Sequence, residues 1–385
     1  MEYFKNIKKT YKLKYNITYY IIIAVTVITA IMSSTGDLKR STMGLLARIS
    51  YSIIMALSLN LVVGFLGELS LGHAGFMCIG AYIGCFCANY LHNTINSPLL
   101  VLIISMVIGA VSAAFFGFII GLPALRLKGD YLAIVTLAFG EIVRNVFKNL
   151  PWFGGAMGLS TVTYSAEGLF TIGFVVVILV LFLSQNLIRS KHGRAVTAIR
   201  DNEIAAKAMG INVTFYKLLI FVISAAFAGI AGVIYGHFTT PVMYSFFSYN
   251  YSIEVLVMVV LGGMASLNGS IIAATLITVV NFMLQDKLSG DLAALRLLIY
   301  ALVLIVVVLF NNAPAFTPIK EKLGLHKILE KVSIRRKPST ITDDKADWNK
   351  IETKIPMDEV LRVDLRTEET AKPQDSDKKG DNCNG

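Results

Sequence analysis

The sequence predicts an all-α fold, a polytopic integral membrane bundle of about ten transmembrane helices, some of them broken at glycine-rich segments. Only 16% of the 385 residues are charged and 55% are hydrophobic, which argues against an ordinary soluble domain. Many apolar runs approach or exceed the roughly 20 residues that cross a bilayer. The mean hydropathy of +0.65 agrees with a chain that lies largely in lipid.

Ten apolar segments are predicted to span the membrane, and glycine interrupts the second, third, eighth and ninth of them. Their approximate bounds are 17–33, 43–66, 69–91, 98–122, 131–150, 168–188, 213–237, 250–265, 269–285 and 291–311. Lysines crowd residues 1–16, so the positive-inside rule places this basic segment in the cytoplasm. An even number of spans returns the C-terminus to the same side.

The net charge of +10 is therefore interpreted as membrane topology, and no nucleic-acid partner is expected. Residues 17–312 form the predicted transmembrane domain, with a charged loop at 190–212 on the cytoplasmic side. Residues 313–385 are polar and of mixed charge, and we expect a largely disordered cytoplasmic tail.

A charged, alanine-rich stretch at 193–210 predicts two short helices joined by an elbow. Asp201 or Asn202 is placed to cap the second helix. Glu203 and Lys207 stand four residues apart in the order that favours an ion pair, and Gly210 is suited to end the helix. Isolated helices below about 12–15 residues are only marginally stable in water, so the pair is expected to be stabilised by contact with a partner surface as well as with its own chain. The alternative is an ordinary solvated loop between two membrane helices.

The glycine-rich segment 64–75 interrupts an apolar run with polar residues. A carboxylate at mid-membrane costs about 2.5–3.5 kcal/mol, so Glu68 is expected to face a polar cavity, a partner or the membrane edge. A broken helix would expose backbone groups that bind a zwitterionic amino acid. The alternative is a tight cytoplasmic turn in which Glu68 and His73 are hydrated. The candidate pathway residues here are Gly67, Glu68, Ser70, Gly72, His73 and Gly75.

Two later segments carry further candidates for the substrate pathway. Thr136 and Glu141 lie in an apolar run, where Glu141 either lines a pore or pairs with Arg144 one turn on. Glu254 lies near the start of a later span. Gly262 and Gly263 follow it, and they suit close helix packing as well as they suit substrate contact.

Catalytic signatures are absent from the sequence. It has no Gly-x-x-x-x-Gly-Lys-Ser/Thr loop, so the chain is not expected to hydrolyse ATP. No zinc-protease motif or nucleophile elbow occurs, and the histidines lack metal-ligand spacing. We therefore expect no enzyme activity, no metal and no cofactor bound by this chain.

Several motifs, in the same order along residues 43–311, resemble the permeases of branched-chain amino acid ABC importers, the LivM branch. The stretch Glu203-Ile-Ala-Ala206 with Gly210 behind it resembles the coupling loop of ABC importer permeases. The other matching runs are Ser70-Leu-Gly-His-Ala74, Leu122-Pro-Ala-Leu-Arg126, Tyr131-Leu-Ala-Ile-Val-Thr136 and Ser252-Ile-Glu254.

This resemblance implies a permease subunit of the cell membrane that moves leucine, isoleucine or valine inward. The implied partners are a second related permease, two ATP-binding subunits that carry the ATP, an extracytoplasmic substrate-binding protein and the lipid bilayer. The residues implied to contact the ATPase are Gly193, Arg194, Ala195, Arg200, Asp201, Glu203, Ala205, Ala206 and Gly210.

Three alternatives stay open at the level of sequence. Within the same class, the substrate would be urea, a short amide or another amino acid. Outside it, an ion-driven secondary transporter would need no ATPase, and a membrane enzyme would need catalytic residues that the sequence does not display.

Overall fold

The computed structural model describes residues 40–95, 97–127, 129–161 and 166–287, with helical backbone at six single positions, 22, 23, 25, 26, 302 and 305. Ten α-helices occupy the described ranges. They are α1 (Arg40–Asn60), α2 (His73–His92), α3 (Pro98–Ala124), α4 (Asp130–Asn149), α5 (Ala166–Arg189), α6 (Lys191–Asp201), α7 (Glu203–Ala208), α8 (Val213–Phe238), α9 (Tyr249–Gly262) and α10 (Leu267–Lys287). The described residues contain no β-strand beyond an isolated bridge between Leu159 and Val242, so the all-α prediction is confirmed for them.

Helices lie at eight of the ten predicted spans, from 43–66 to 269–285. Six of the described helices are long and apolar enough to cross a bilayer. These are Ser41–Leu66, His73–His92, Pro98–Ala124, Leu169–Arg189, Val213–Phe238 and Leu267–Gln285. Helix α4 carries charged residues in its second half, and α9 has only 14 residues, so neither meets the same criterion.

The first and last predicted spans, 17–33 and 291–311, lie outside the described residues apart from the six single positions. The basic segment 1–16 and the tail 313–385 also lie outside them. The described part of the chain therefore supports six spans, whereas the sequence predicts ten.

Helix α8 lies at the centre of the bundle and packs against α1, α2 and α3. Helices α2, α3 and α8 approach one another at Gly80, Gly109 and Gly229. A Cβ added at Gly229 would lie 2.5 Å from the Gly109 carbonyl oxygen and 2.6 Å from the Ala113 Cβ. Small residues allow such backbone approach, which is how helices gain contact in lipid. On the other side, α1 packs against α5 and α10, and α10 packs against α9.

The chain leaves the helical path at two glycine-rich breaks. Helix α1 continues as a π-helix, Leu61–Leu66, that ends at Gly67 with φ of +81°. Residues 67–72 are non-helical, and α2 begins directly after them. The first break therefore lies within the glycine-rich segment 64–75, as predicted. The second break lies between α9 and α10, where Gly263 and Ala265 also have positive φ. The breaks matter because they free backbone groups inside the bundle.

Candidate functional site

The elbow at 191–210 consists of α6 and α7 joined at Asn202. The Asn202 backbone is extended, and its side-chain oxygen accepts hydrogen bonds from the N–H groups of Ile204 and Ala205, both at 3.0 Å. Gly210 follows α7 with φ of +81°. The predicted pair of short helices is present, and the structure selects Asn202 as the cap, because Asp201 instead pairs with Arg200 at 3.0 Å.

One face of the elbow packs on the chain and the other is open. Ile199 and Ala206 are buried together with Val213 at the start of α8. On the opposite face, Ile204 and Met209 are 81% and 82% exposed. The residues predicted to contact an ATPase divide accordingly: Gly193 and Ala206 are buried, Ala195 and Glu203 are half-buried, and Arg194, Arg200, Asp201, Ala205 and Gly210 are exposed.

Lys217, on the first turn of α8, joins the elbow to the first break. Its ammonium lies 2.5 Å from Glu68 Oε1 and 3.3 Å from Glu203 Oε2, and its side chain is 6% exposed. Lys207 reaches the other oxygen of Glu203 at 2.9 Å. Two carboxylates from different elements therefore converge on one buried ammonium, next to an open cavity between the elbow and the break.

Arg200 makes a second contact between the elbow and the break. Its Nη1 donates a hydrogen bond to the Gly64 carbonyl oxygen at 3.1 Å. Its aliphatic stem lies against Gly67, where an added Cβ would be 2.7 Å from Arg200 Cγ. The guanidinium thus satisfies a carbonyl in the last turn before the break, where the helical ladder ends.

His73, at the start of α2, lies in a buried chain of hydroxyl groups. Its Nε2 is 2.7 Å from Ser224 Oγ, its Nδ1 is 3.2 Å from Ser70 Oγ, and Ser224 in turn exchanges hydrogen bonds with Ser58. Because His73 is 1% exposed, the alternative of a hydrated histidine in a simple turn does not hold for this residue. The network fixes the break against α1 and α8.

The backbone N–H groups of the break are bound by side chains from neighbouring helices. Leu71 donates to Thr136 Oγ1 on α4 at 3.1 Å, and Ala74 donates to Ser252 Oγ on α9 at 3.0 Å. In this conformation these two groups are engaged by the protein. Gly72 and Gly75 pack closely on α4 at Thr136 and Gly140, which brings these predicted pathway residues together with Thr136.

The remaining predicted pathway residues lie in two other places. Glu141 pairs with Arg144 at 2.7 Å and also accepts the N–H of Tyr249 at 3.0 Å, so the predicted ion pair is present. Glu254 accepts a hydrogen bond from Asn281 on α10 at 3.1 Å. Gly262 packs on Gly269, where an added Cβ would lie 2.5 Å from its carbonyl oxygen, so packing explains Gly262.

Two residues that organise the breaks, Lys217 and Asn60, are not among the candidates predicted from the sequence. The Asn60 side chain donates to the Ser266 carbonyl at 3.1 Å and accepts from the Ala265 N–H at 3.1 Å, so it ties the two breaks together. The available signal was a lone polar residue in an apolar run, which is costly in lipid unless it has a partner.

Within the described ranges, no cluster of three or more His, Cys, Asp or Glu side chains is placed to hold a metal ion. The arrangement instead provides buried polar contacts that join a short elbow, two helix breaks and the helices packed against them. Such an arrangement can transmit a displacement from the surface to the interior.

Comparison with known proteins places the chain in a family. The family described as "Branched-chain amino acid transport system / permease component" matches residues 41–308. The LivM permease protein of the high-affinity branched-chain amino acid transport system of Salmonella typhimurium is 36% identical over 298 residues, 69% of this chain and 67% of that protein. The corresponding protein of Escherichia coli is 36% identical over 281 residues, 64% of each chain.

A probable LivM protein of Methanocaldococcus jannaschii is 28% identical over 269 residues, 60% of this chain and 78% of that protein. The chain spans about two thirds of the length of the two bacterial relatives. No solved structure matches it. Apolar helices and a family match over more than half of its length identify the chain as a multi-pass membrane protein that belongs to the family of branched-chain amino acid transport permease components.

Proposed function

We propose that the chain is one of the membrane subunits of an ATP-driven importer for leucine, isoleucine and valine. The observation that carries this proposal is the elbow, whose exposed apolar tip faces outward while its base contacts the first helix break through Arg200 and Lys217. An exposed tip on a short, capped helix pair suits docking by a separate protein. The names of the relatives support the substrate class.

The proposed mechanism separates the energy source from the pathway. ATP binds and is hydrolysed on two partner subunits, since this chain has no phosphate-binding loop of its own. The partners displace the elbow, and the bundle alternates between outward-open and inward-open states. An extracytoplasmic binding protein delivers the amino acid, and this chain itself carries neither cofactor nor enzyme activity.

A second related permease subunit completes the pathway in this proposal. The outer half of α4 supports it, because Glu141, Arg144 and Lys148 are partly or fully exposed in the single chain. Charged groups at membrane depth face a partner or a water-filled cavity. We further propose ten spans in all, so that the elbow and both termini lie in the cytoplasm.

Two other functions are separated from this one by experiment. A related ABC permease for urea, short amides or other amino acids would have the same architecture and a different substrate. An ion-driven secondary transporter would not need the elbow to contact an ATPase.

The test is uptake of labelled leucine, isoleucine, valine and urea in cells lacking the chain and in the same cells with it restored. We expect restored uptake of the three branched-chain amino acids, lost on ATP depletion and kept when ion gradients are collapsed by ionophores. Restored uptake of urea alone would show that urea, and not a branched-chain amino acid, is the substrate. Uptake that survives ATP depletion and fails with the ion gradient would contradict the ATP-driven mechanism.

A further inference from the structure

We propose that Lys217 is a positioning residue that transmits movement of the elbow to the first helix break, through its paired contacts with Glu203 and Glu68. The inference rests on the proposed function, since it assumes that a partner moves the elbow. It assigns to Lys217 a link between the docking surface and the segment 67–72, beside the contact that Arg200 makes with Gly64 and Gly67.

The geometry of Lys217 distinguishes it from the other charged residues of the region. Glu203 belongs to α7 and Glu68 to the break, 135 positions earlier in the chain, and the Lys217 ammonium contacts both. An ammonium has three donors on a flexible stem, so one lysine can hold two carboxylates at once. The Lys217 side chain is 6% exposed, so loss of the Glu203 contact leaves a buried ammonium with one carboxylate partner fewer.

Helix α8 also holds the far end of the break. Ser224 lies seven residues after Lys217, on the same face of the helix, and its hydroxyl contacts His73 at the start of α2. One face of α8 therefore contacts residue 68 through Lys217 and residue 73 through Ser224. A shift of α8 near Lys217 would move residue 68 relative to residue 73. The segment between these two residues would then change its shape.

Arg200 supports the same assignment from α6. Its hydrogen bond to the Gly64 carbonyl holds the last helical turn before the break, while Lys217 holds the carboxylate just after it. The elbow and the start of α8 thus contact the chain on the two sides of Gly67, whose φ of +81° marks where the helix ends. Movement of the elbow acts on the point where the chain changes direction.

The test is the number of substrate molecules transported per ATP hydrolysed by the reconstituted complex in proteoliposomes. Lys217→Met keeps the length of the stem and removes the charge. We expect it to lower the ratio about tenfold or more, within the usual range for coupling between distant sites, while substrate-dependent ATP hydrolysis continues. Lys217→Arg, which keeps the charge and the donors, is expected to restore most of the ratio.

Lys207→Met is the matched control. Lys207 contacts the same Glu203, but it is 59% exposed, and its ion pair joins two residues of α7. We expect its ratio to equal that of the unmodified complex. A loss in Lys207→Met equal to that in Lys217→Met would show that only the charge of the elbow matters, and would overturn the inference.

A second variant decides the matter if Lys217→Met fails to assemble. Glu203→Gln removes the carboxylate on the partly exposed elbow side and leaves Lys217 paired with Glu68. It is expected to lower the ratio severalfold by itself and to lower it little further when combined with Glu68→Gln, because either change breaks the same link. An unchanged ratio in Glu203→Gln overturns the inference, whereas an unmodified complex that transports without ATP overturns the proposed function instead.

Discussion

Single residues decide whether the first break can pack inside the bundle. Gly72 lies against α4, where an added Cβ would be 2.8 Å from the Thr136 carbonyl carbon. The contact is that close because the neighbouring Leu71 N–H donates to Thr136 Oγ1. Gly140, across the same contact, is less crowded, since an added Cβ there would lie 3.5 Å from its nearest neighbour, the Gly72 Cα.

This difference predicts opposite outcomes for two alanine substitutions. Gly72→Ala is expected to destabilise the fold by about 1–3 kcal/mol, because the new methyl group overpacks a rigid backbone contact. Gly140→Ala is expected to be neutral or stabilising, because alanine is favoured over glycine inside a helix by roughly 0.5–1 kcal/mol. Thermal unfolding of the purified protein in detergent measures both. Equal melting temperatures for Gly72→Ala and the unmodified protein would contradict the packing.

At this scale the sequence predicts local chemistry and misses long-range partners. The Glu203–Lys207 pair and the turn at Gly210 follow from spacing alone, and both are present. The contact of Lys217 with Glu68 joins residues 149 positions apart, and no local pattern specifies it. Topology of the whole bundle is needed to bring them together.

The elements of the bundle follow from composition, while the exact form of their breaks does not. Glycine clusters indicate where α1 and α9 must end, and the helices end there. The six-residue π-helix before Gly67 has no signal in the sequence, and its contact with Arg200 joins residues 136 positions apart. The elbow is predicted as two helices, because capping and termination are local effects.

The elbow as an element predicts the effect of a bulky charge on its open face. Ala205 is exposed on α7 next to the exposed Ile204, so Ala205→Arg leaves the buried face of the elbow intact. We expect recovery of the ATPase subunits with this variant to fall about tenfold, equivalent to about 1.4 kcal/mol, with normal membrane insertion.

The control is Trp152→Arg, which alters an 80% exposed residue in the turn that follows α4. It is expected to leave recovery of the ATPase unchanged, because we propose that this turn lies on the opposite side of the membrane. Normal ATPase recovery with Ala205→Arg would remove the open face of the elbow from the docking surface.

The described helices form a bundle around α8, and the elbow lies at the start of that helix. Motifs spread along the sequence predict the family, and the family match over residues 41–308 confirms it. The number of spans is not fixed in the same way, because α4 is too charged and α9 too short for hydropathy to assign them.

The proposed mechanism requires the elbow to lie on the cytoplasmic side, where ATP-binding subunits can reach it. Met209→Cys and Trp152→Cys, each in a chain whose native cysteines are replaced by serine, place a thiol at exposed positions near the two ends of the bundle. A membrane-impermeant thiol reagent applied to spheroplasts before and after permeabilisation measures their sidedness. We predict that the thiol at 152 reacts in intact spheroplasts and that the thiol at 209 reacts only after permeabilisation. Labelling of position 209 in intact spheroplasts would contradict the account.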